Sequence, residues 1–310
     1  MIGAASSADA SRLEAVMLYH ERSKHHFNRY ARGPGQLDWA NQPDPFRRYA
    51  GAALTHLPLL ASGEDPVSPD YDSIYLRGAV PCAPLSIRSL SRFFEYSLAL
   101  TAWKQAGATR WALRANPSSG NLHPTEGYVL LGSAGLGEAP GLFHYAPLQH
   151  GLERRADCPP ALFGRLMRGF PAEAFLVGLA SVHWREAWKY GERAFRYCQH
   201  DVGHAIGAMR IAAATLGWSA LVLDGVADET IDALLGLGRA ADFDGAERES
   251  AEAMMAVWPG EVVATASSLE VEAVQQLKGG RWYGKANRLS RDDPVRWDAI
   301  DTIAEASRKP

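Results

Sequence analysis

Residues 114–126 read Arg-Ala-Asn-Pro-Ser-Ser-Gly-Asn-Leu-His-Pro-Thr-Glu, and Gly-Tyr-Val-Leu-Leu-Gly follows at 127–132. Pro117, Ser118, Ser119, Gly120 and Asn121 are turn formers, each for its own backbone reason. Small side chains there let backbone N–H groups approach a ligand closely. The β-branched and aromatic run from Gly127 predicts a strand, so the loop feeds directly into a sheet. On spacing alone such a cluster is an ordinary turn. Neither GxxxxGK[ST] nor GxGxxG is present, which removes the usual nucleotide loops.

Outward from this segment the chain alternates strand and helix signals. Upstream, Leu90, Phe93, Phe94 and Leu98 fall at helical spacing behind Ser86, a natural N-cap. Downstream, 142–145 and 151–154 predict two short strands, 161–167 a short helix and 174–182 a buried strand. The longest helix is expected over 192–216, where Phe195, Cys198, Val202, Ala205, Ile206, Met209, Ala213 and Leu216 keep one apolar stripe and Gly217 supplies the stop. Strands at 218–223 and 253–258 flank a helix at 229–235. Residues 1–80, dense in Pro, Gly, His and aromatics from residue 20, read as an irregular N-terminal extension packed on the core. Residues 81–280 form the domain, and 281–310 a C-terminal tail whose aromatic anchors can reach a neighbouring subunit.

The chain has 310 residues, 47% hydrophobic and 22% charged, with a formal charge of −3. That size supports a sizeable core, and the charge gives no basic footprint for nucleic acid. Arg47, Arg48 and the run from Arg185 to Arg196 are basic, but Glu186 and Glu192 are interleaved. Cys82, Cys158 and Cys198 lack any CxxC spacing, so neither a disulfide framework nor a cysteine zinc site is expected. No stretch approaches a membrane span and no signal peptide is visible, so a cytoplasmic protein without a membrane partner is expected.

The stretch RANPSSGNLHPTEGYVLL resembles the R-x-x-PS-x-G-x-LHP-x-E-x-Y signature of SagB/thiazoline-oxidase-type (SagB/ThcOx) dehydrogenases in the FMN-dependent nitroreductase superfamily. WKYGERAFRYCQHDVGHAIGAMRIAAATLGW is similar to the same family's KYGER-x-x-RY, GH and long helix ending in Leu-Gly. YHERSKHH, at 19–26, resembles its N-terminal YHE-x-T/S-K element. The resemblance implies an α+β fold, nitroreductase-like, with a central, mostly antiparallel sheet wrapped by helices. It also implies noncovalent FMN, with the loop 117–123 against its ring, and a homodimer that completes each flavin pocket. The RRS-x-R phosphate motif of ordinary nitroreductases is absent, which leaves Arg114, Ser23 and Lys24 to hold the phosphate.

The chemistry follows from what a flavin needs. Hydride arriving at N5 leaves negative charge at N1 and the C2 carbonyl, so fixed donors belong there. Pro117, Ser118, Ser119, Gly120, Asn121 and His123 are the candidate cofactor contacts. Lys189 and Tyr190 match the pair that the resemblance assigns to proton removal, with Lys189 as base and Tyr190 as relay. The implied activity is an FMN-dependent oxidation, with azolines in a peptide becoming azoles. A nitro- or quinone-type reductase using NAD(P)H is the alternative. A second alternative is a noncatalytic peptide- or partner-binding homologue without FMN. His200 and His204 stand four apart in HDVGH, a metal-ligand spacing, but Asp201 replaces the general-base Glu of HExxH and no third ligand announces itself, so no metal is expected.

Overall fold

The computed structural model describes residues 7–61, 63, 68–137 and 139–310. In chain order the first elements are α1 (Ser7–Ser23), β1 (Tyr49–Ala50), β2 (Leu54–His56), α2 (Ile87–Ser97), β3 (Leu100–Ala106), β4 (Thr109–Arg114) and β5 (Thr125–Leu131). Then come α3 (Ser133–Leu136), β6 (Gly141–Ala146), β7 (Gly151–Asp157), α4 (Pro160–Leu166), β8 (Phe175–Ser181), α5 (His183–Tyr190) and α6 (Ala194–Thr215). The chain finishes with β9 (Trp218–Val222), α7 (Asp228–Leu235), β10 (Ser250–Pro259), α8 (Val271–Lys278), β11 (Lys285–Ala286) and α9 (Asp298–Ala306).

Among the described residues, seven strands form one sheet in the order β2-β7-β6-β5-β8-β10-β9, and every neighbouring pair is antiparallel. Both faces of its centre are covered, which is why β5 and β8 are buried along their whole length and are apolar over 127–131 and 175–180. Tyr128 and Leu130 of β5 face one layer with Leu162, Leu166, Ile231, Leu234 and Leu277 from α4, α7 and α8. Val129 and Leu131 face the other, with Leu90, Phe93 and Phe94 of α2 and Val202, Ala205 and Met209 of α6. This alternation is the period-two geometry of a strand.

The elements expected downstream of Pro84 are present. Ser86 caps α2 through a reciprocal bond with Ser89, and α6 stops before Gly217, whose φ of 66° is a left-handed helix end. Two features differ from expectation. Within 1–80, residues 7–23 form a helix whose Leu13, Met17 and Leu18 are exposed, so no apolar stripe marks it in the sequence; residues 1–6 lie outside the described residues. Residues 100–114 form the separate hairpin β3-β4, exposed along β3, where no alternation betrays a strand.

The C-terminal tail closes on its own chain. Lys285 and Ala286 pair with Ala50 and Tyr49. Trp184 Nε1 donates to Ser290 Oγ at 2.6 Å, and the Glu247 carboxylate accepts from the N–H groups of Leu289 and Ser290, each at 2.8 Å. No helix among the described residues is long and apolar enough to cross a membrane.

Candidate functional site

The loop 115–124 enters β5 where β8 leaves the sheet. Thr125 sits opposite Ser181 in the ladder, and Val182 N–H donates to Pro124 O at 2.9 Å. The helix that follows β8 is α5, which carries Lys189 and Tyr190. Antiparallel pairing thus joins two motifs some seventy residues apart in sequence. The two motifs meet at Gly120. A Cβ built there would lie 2.5 Å from Tyr190 Oη and 3.0 Å from Lys189 Nζ. Gly120 has φ 61°, and Asn121 and His123 are also left-handed at 61° and 51°. Glycine is required at 120 both for the backbone angle and for the space.

Two buried charges of opposite sign clamp this loop. Asp201 on α6 accepts from Ser119 N–H at 3.0 and 3.1 Å through its two oxygens, and from Ser119 Oγ at 3.0 Å. Burial pushes the Asp201 carboxyl up, and the Ser118 and Ser119 hydrogen bonds oppose it. Arg185 on α5 is fully buried and donates to His123 O at 2.7 Å, to Asp44 O at 3.1 Å and to Glu126. The loop also holds itself: Asn121 N–H donates to Ser118 O at 3.1 Å, and His123 N–H donates to Ser118 Oγ at 2.8 Å. The backbone donors of Ser119, Asn121 and His123 are therefore engaged within the protein.

Lys189 and Tyr190 are half-buried. Lys189 Nζ lies 5.5 Å from the Tyr190 ring centroid, and Tyr190 packs on Tyr197 with centroids 4.3 Å apart. Burial, with Glu186 next, pushes the Tyr190 phenol up to about 12, so it stays a proton donor at neutral pH. One turn before Lys189, Glu186 is wholly buried and pushed up to about 9, by burial first and by Asp201 second. Both its oxygens lack a hydrogen-bond partner, as do Asn116 Oδ1, His123 Nδ1 and Thr125 Oγ1. Orphaned polar atoms at this density are rare in an interior and collect at functional corners.

Of the expected phosphate residues, Ser23 is buried and accepts from Arg196 at 2.9 Å, while its carbonyl accepts from Arg193. Lys24 pairs with Glu21 at 2.6 Å near the surface. Arg114 has different partners. It donates to the carbonyls of Thr125 and Pro45, and burial pushes its guanidinium down to about 10. Pro117 is exposed. Burial, then the Arg114 charge, pushes His123 down to about 3, so its ring is neutral, 3.3 Å from Ala112 O. His200 and His204 are exposed on α6, and no group of three or more His, Cys, Asp or Glu among the described residues is placed to hold a metal.

Behind the site runs a buried polar chain that sequence reading did not foresee. Arg185 binds Glu126, whose other oxygen is 2.9 Å from His144 Nε2; His144 Nδ1 is 3.0 Å from Glu153, which accepts from Arg48 at 2.6 Å. Burial would raise the Glu126 carboxyl, but the Arg185 charge and the His144 hydrogen bond outweigh it and hold it well below the usual range. Burial opposes the His144 imidazolium, yet the hydrogen bonds to Glu126 and Glu153 raise it overall. The available signal was Glu126 itself, an acid opening a strand buried on both faces, where it must be paired. A cavity of about 350 Å³ lies elsewhere, lined by His183, Glu252, Asp301 and Arg308 among others, and not by Gly120, Lys189 or Tyr190. The candidate site is an open surface rather than an enclosed cavity, and Gly120 is exposed on it.

Residues 104–243 match the model of the Nitroreductase family. A Methanocaldococcus jannaschii protein provisionally named a nitroreductase is 26% identical over 157 residues, which is 49% of this chain and 75% of that one. The crystal structure of a protein from Anabaena variabilis, also provisionally named a nitroreductase, superposes with a TM-score of 0.58 at 25% identity, covering 78% of this chain. The match spans 46% of that chain, less than half its length. The E. coli microcin synthetase McbBCD complex with truncated pro-MccB17 aligns at TM-score 0.46 and 17% identity over 85% of this chain and 84% of the other, too distant a likeness to carry an argument. The fold is nitroreductase-like, mixed helices around a large antiparallel sheet, as the sequence resemblance implied.

Proposed function

We propose that this chain is an FMN-dependent oxidoreductase of the SagB/thiazoline-oxidase type, working in the cytoplasm as a homodimer. The observation that carries the reading is the contact of Gly120 with Tyr190 Oη and Lys189 Nζ, inside a segment matched to the Nitroreductase family. The residues fit the cofactor on three counts. Gly120 is exposed on the side away from Tyr190 and Lys189, where a flat ring can approach the backbone. Buried polar atoms without partners collect at the same corner. Arg193 and Arg196 converge on Ser23, with Arg196 Nε buried and unpartnered, a setting suited to a phosphate.

FMN supplies a two-electron hydride acceptor. Lys189 Nζ would take the proton that leaves the substrate with that hydride, and the Tyr190 phenol, still protonated at neutral pH, would donate or relay one. Asp201 and Arg185 hold the loop against these two groups, which keeps the reacting geometry without cost at the moment of reaction. The site is open on one side in a single chain, which favours a second copy as its cover. The substrate class we favour is an azoline in a peptide, on the strength of the KYGER and PSSGNLHP motifs. Reduction of a nitro compound or quinone by NAD(P)H is the second reading, favoured by the provisional names of the two relatives.

The test is a visible absorption spectrum of the purified protein, with the chromophore identified after denaturation and FMN added to any apo fraction. A flavin spectrum with released FMN is expected; a chain that never takes up FMN sinks the proposal and leaves the noncatalytic homologue. Lys189→Ala should then retain the flavin and lose turnover.

A further inference from the structure

The chain between α1 and β1 turns a bare aromatic side to solvent. His26 and Arg29 exchange two backbone hydrogen bonds, at 2.7 and 3.2 Å, with Phe27 and Asn28 at the tip of the turn. Phe27 is fully exposed, and Tyr30 and Trp39 are 80% and 67% exposed. Yet the segment is pinned. Ala31 N–H donates to His25 Nδ1 at 3.1 Å, Arg29 donates to Glu21 O at 3.2 Å, and Trp188 Nε1 donates to Asp38 O at 2.8 Å. An ordered segment that exposes several aromatic rings offers a surface for a partner to cover.

This turn lies on the rim of the candidate site. A Cβ at Gly191, next to Tyr190, would meet Gly33 Cα at 3.0 Å, and Arg193 donates to Ser23 O. The rim is also strongly positive. Residues 19–33 and 189–197 carry Arg22, Lys24, Arg29, Arg32, Lys189, Arg193 and Arg196 against Glu21 and Glu192. Seven basic residues against two acidic ones make a formal +5, in a chain whose total is −3. Arg32 keeps 73% of its side chain exposed although it stands 3.7 Å from Glu192.

We propose that the surface made by Phe27, Tyr30, Arg29 and Arg32 docks an acidic peptide segment that carries apolar side chains and delivers it to the Gly120, Lys189 and Tyr190 site. The proposal rests on the oxidoreductase reading for what happens next, but not for the docking itself. Charge complementarity selects an acidic partner, and the bare phenyl and phenol rings select apolar side chains within it. A second copy suits this surface poorly, because a two-fold contact centred here would set the same arginines against each other.

The experiment uses the full chain with FMN present and a fluorescein-labelled twelve-residue peptide alternating Asp or Glu with Phe and Leu, read by fluorescence anisotropy. Saturable binding is expected, weakening steeply with salt. Binding should fall at least tenfold in Arg29→Glu/Arg32→Glu and about tenfold in Phe27→Ala, and a peptide with Lys in place of the acids should not bind. The proposal is overturned if the acidic peptide does not saturate or if both variants bind it undiminished. It is equally overturned if a single-stranded oligonucleotide binds more tightly with the same variant pattern, if excess FMN displaces the peptide, or if sedimentation shows a dimer that Phe27→Ala dissolves. Flavin uptake is scored separately by absorbance. A yellow protein that ignores the peptide refutes the docking alone; a colourless one that binds it as described supports the docking and refutes the oxidoreductase.

Discussion

Gly120→Ala tests the site at its tightest point. The new methyl would start 2.5 Å from Tyr190 Oη and 3.0 Å from Lys189 Nζ, against an ordinary contact of 3.4 Å or more. Tyr190 must then withdraw by roughly 1 Å, and a misplacement of that size costs on the order of a hundredfold in rate. The stability cost is smaller. Placing Ala at a φ of 61° costs about 1–2 kcal/mol, and the two neighbours that must yield are the far ends of flexible side chains. An unfolding entropy of about 0.65 kcal/mol per degree for a chain of this length converts that into a Tm drop of roughly 2–3 °C. The assay pairs thermal denaturation with FMN titration and turnover of a synthetic azoline peptide. Turnover within threefold of the parent would refute the assignment of Gly120, Lys189 and Tyr190 to one site. A Tm loss beyond about 8 °C would show instead that the glycine serves the fold alone.

Four further outcomes follow from the charged groups in and around the site. Glu126→Gln removes the charge shared by Arg185 and His144 and should cost about 3–5 kcal/mol, or roughly 5–8 °C in Tm; an unchanged melting curve would sink the buried polar chain as a stabilising element. The pH dependence has a definite sign. The folded His144 is raised, so its contribution is complete below its unfolded pKa of about 6.5 and fades as pH climbs through the folded value, while that of Glu126, lowered, is present above about 4.3 and fades on acidification. Parent Tm against pH should therefore fall on both sides, with a weaker alkaline fall in Glu126→Gln; parallel profiles contradict this. Asp201→Asn should speed amide exchange at Ser119 by at least tenfold, and unaltered protection would mean the carboxylate does not hold the loop. Arg196→Ala should weaken FMN affinity about tenfold, whereas Arg114→Ala, whose guanidinium is committed to two carbonyls, should lower Tm more than affinity; the reverse ranking would return the phosphate to Arg114.

Much of the frame was legible in the residues themselves. The apolar stripe of α6, the Ser86 cap, the run of β5 and the strands from 142 to 181 are local patterns, set by propensity and burial period, and they survive folding unchanged. The loop at 117–123 was legible as a turn, and its likeness to a family motif implied a flavin ligand. What distance in sequence hid was decided by the tertiary structure. Asp201, part of a metal-like HDVGH spacing, faces Ser119 because α6 passes under the loop. Ser23 meets Arg193 and Arg196 because α1, a helix without a stripe, lies across the start of α6. Lys189 and Gly120 touch because β5 and β8 are antiparallel neighbours. The sequence by itself determined which residues can turn, pair or bury. Only the packed sheet decided which of them meet, since strand order is a long-range choice made by the burial of both faces at once and not by any single segment.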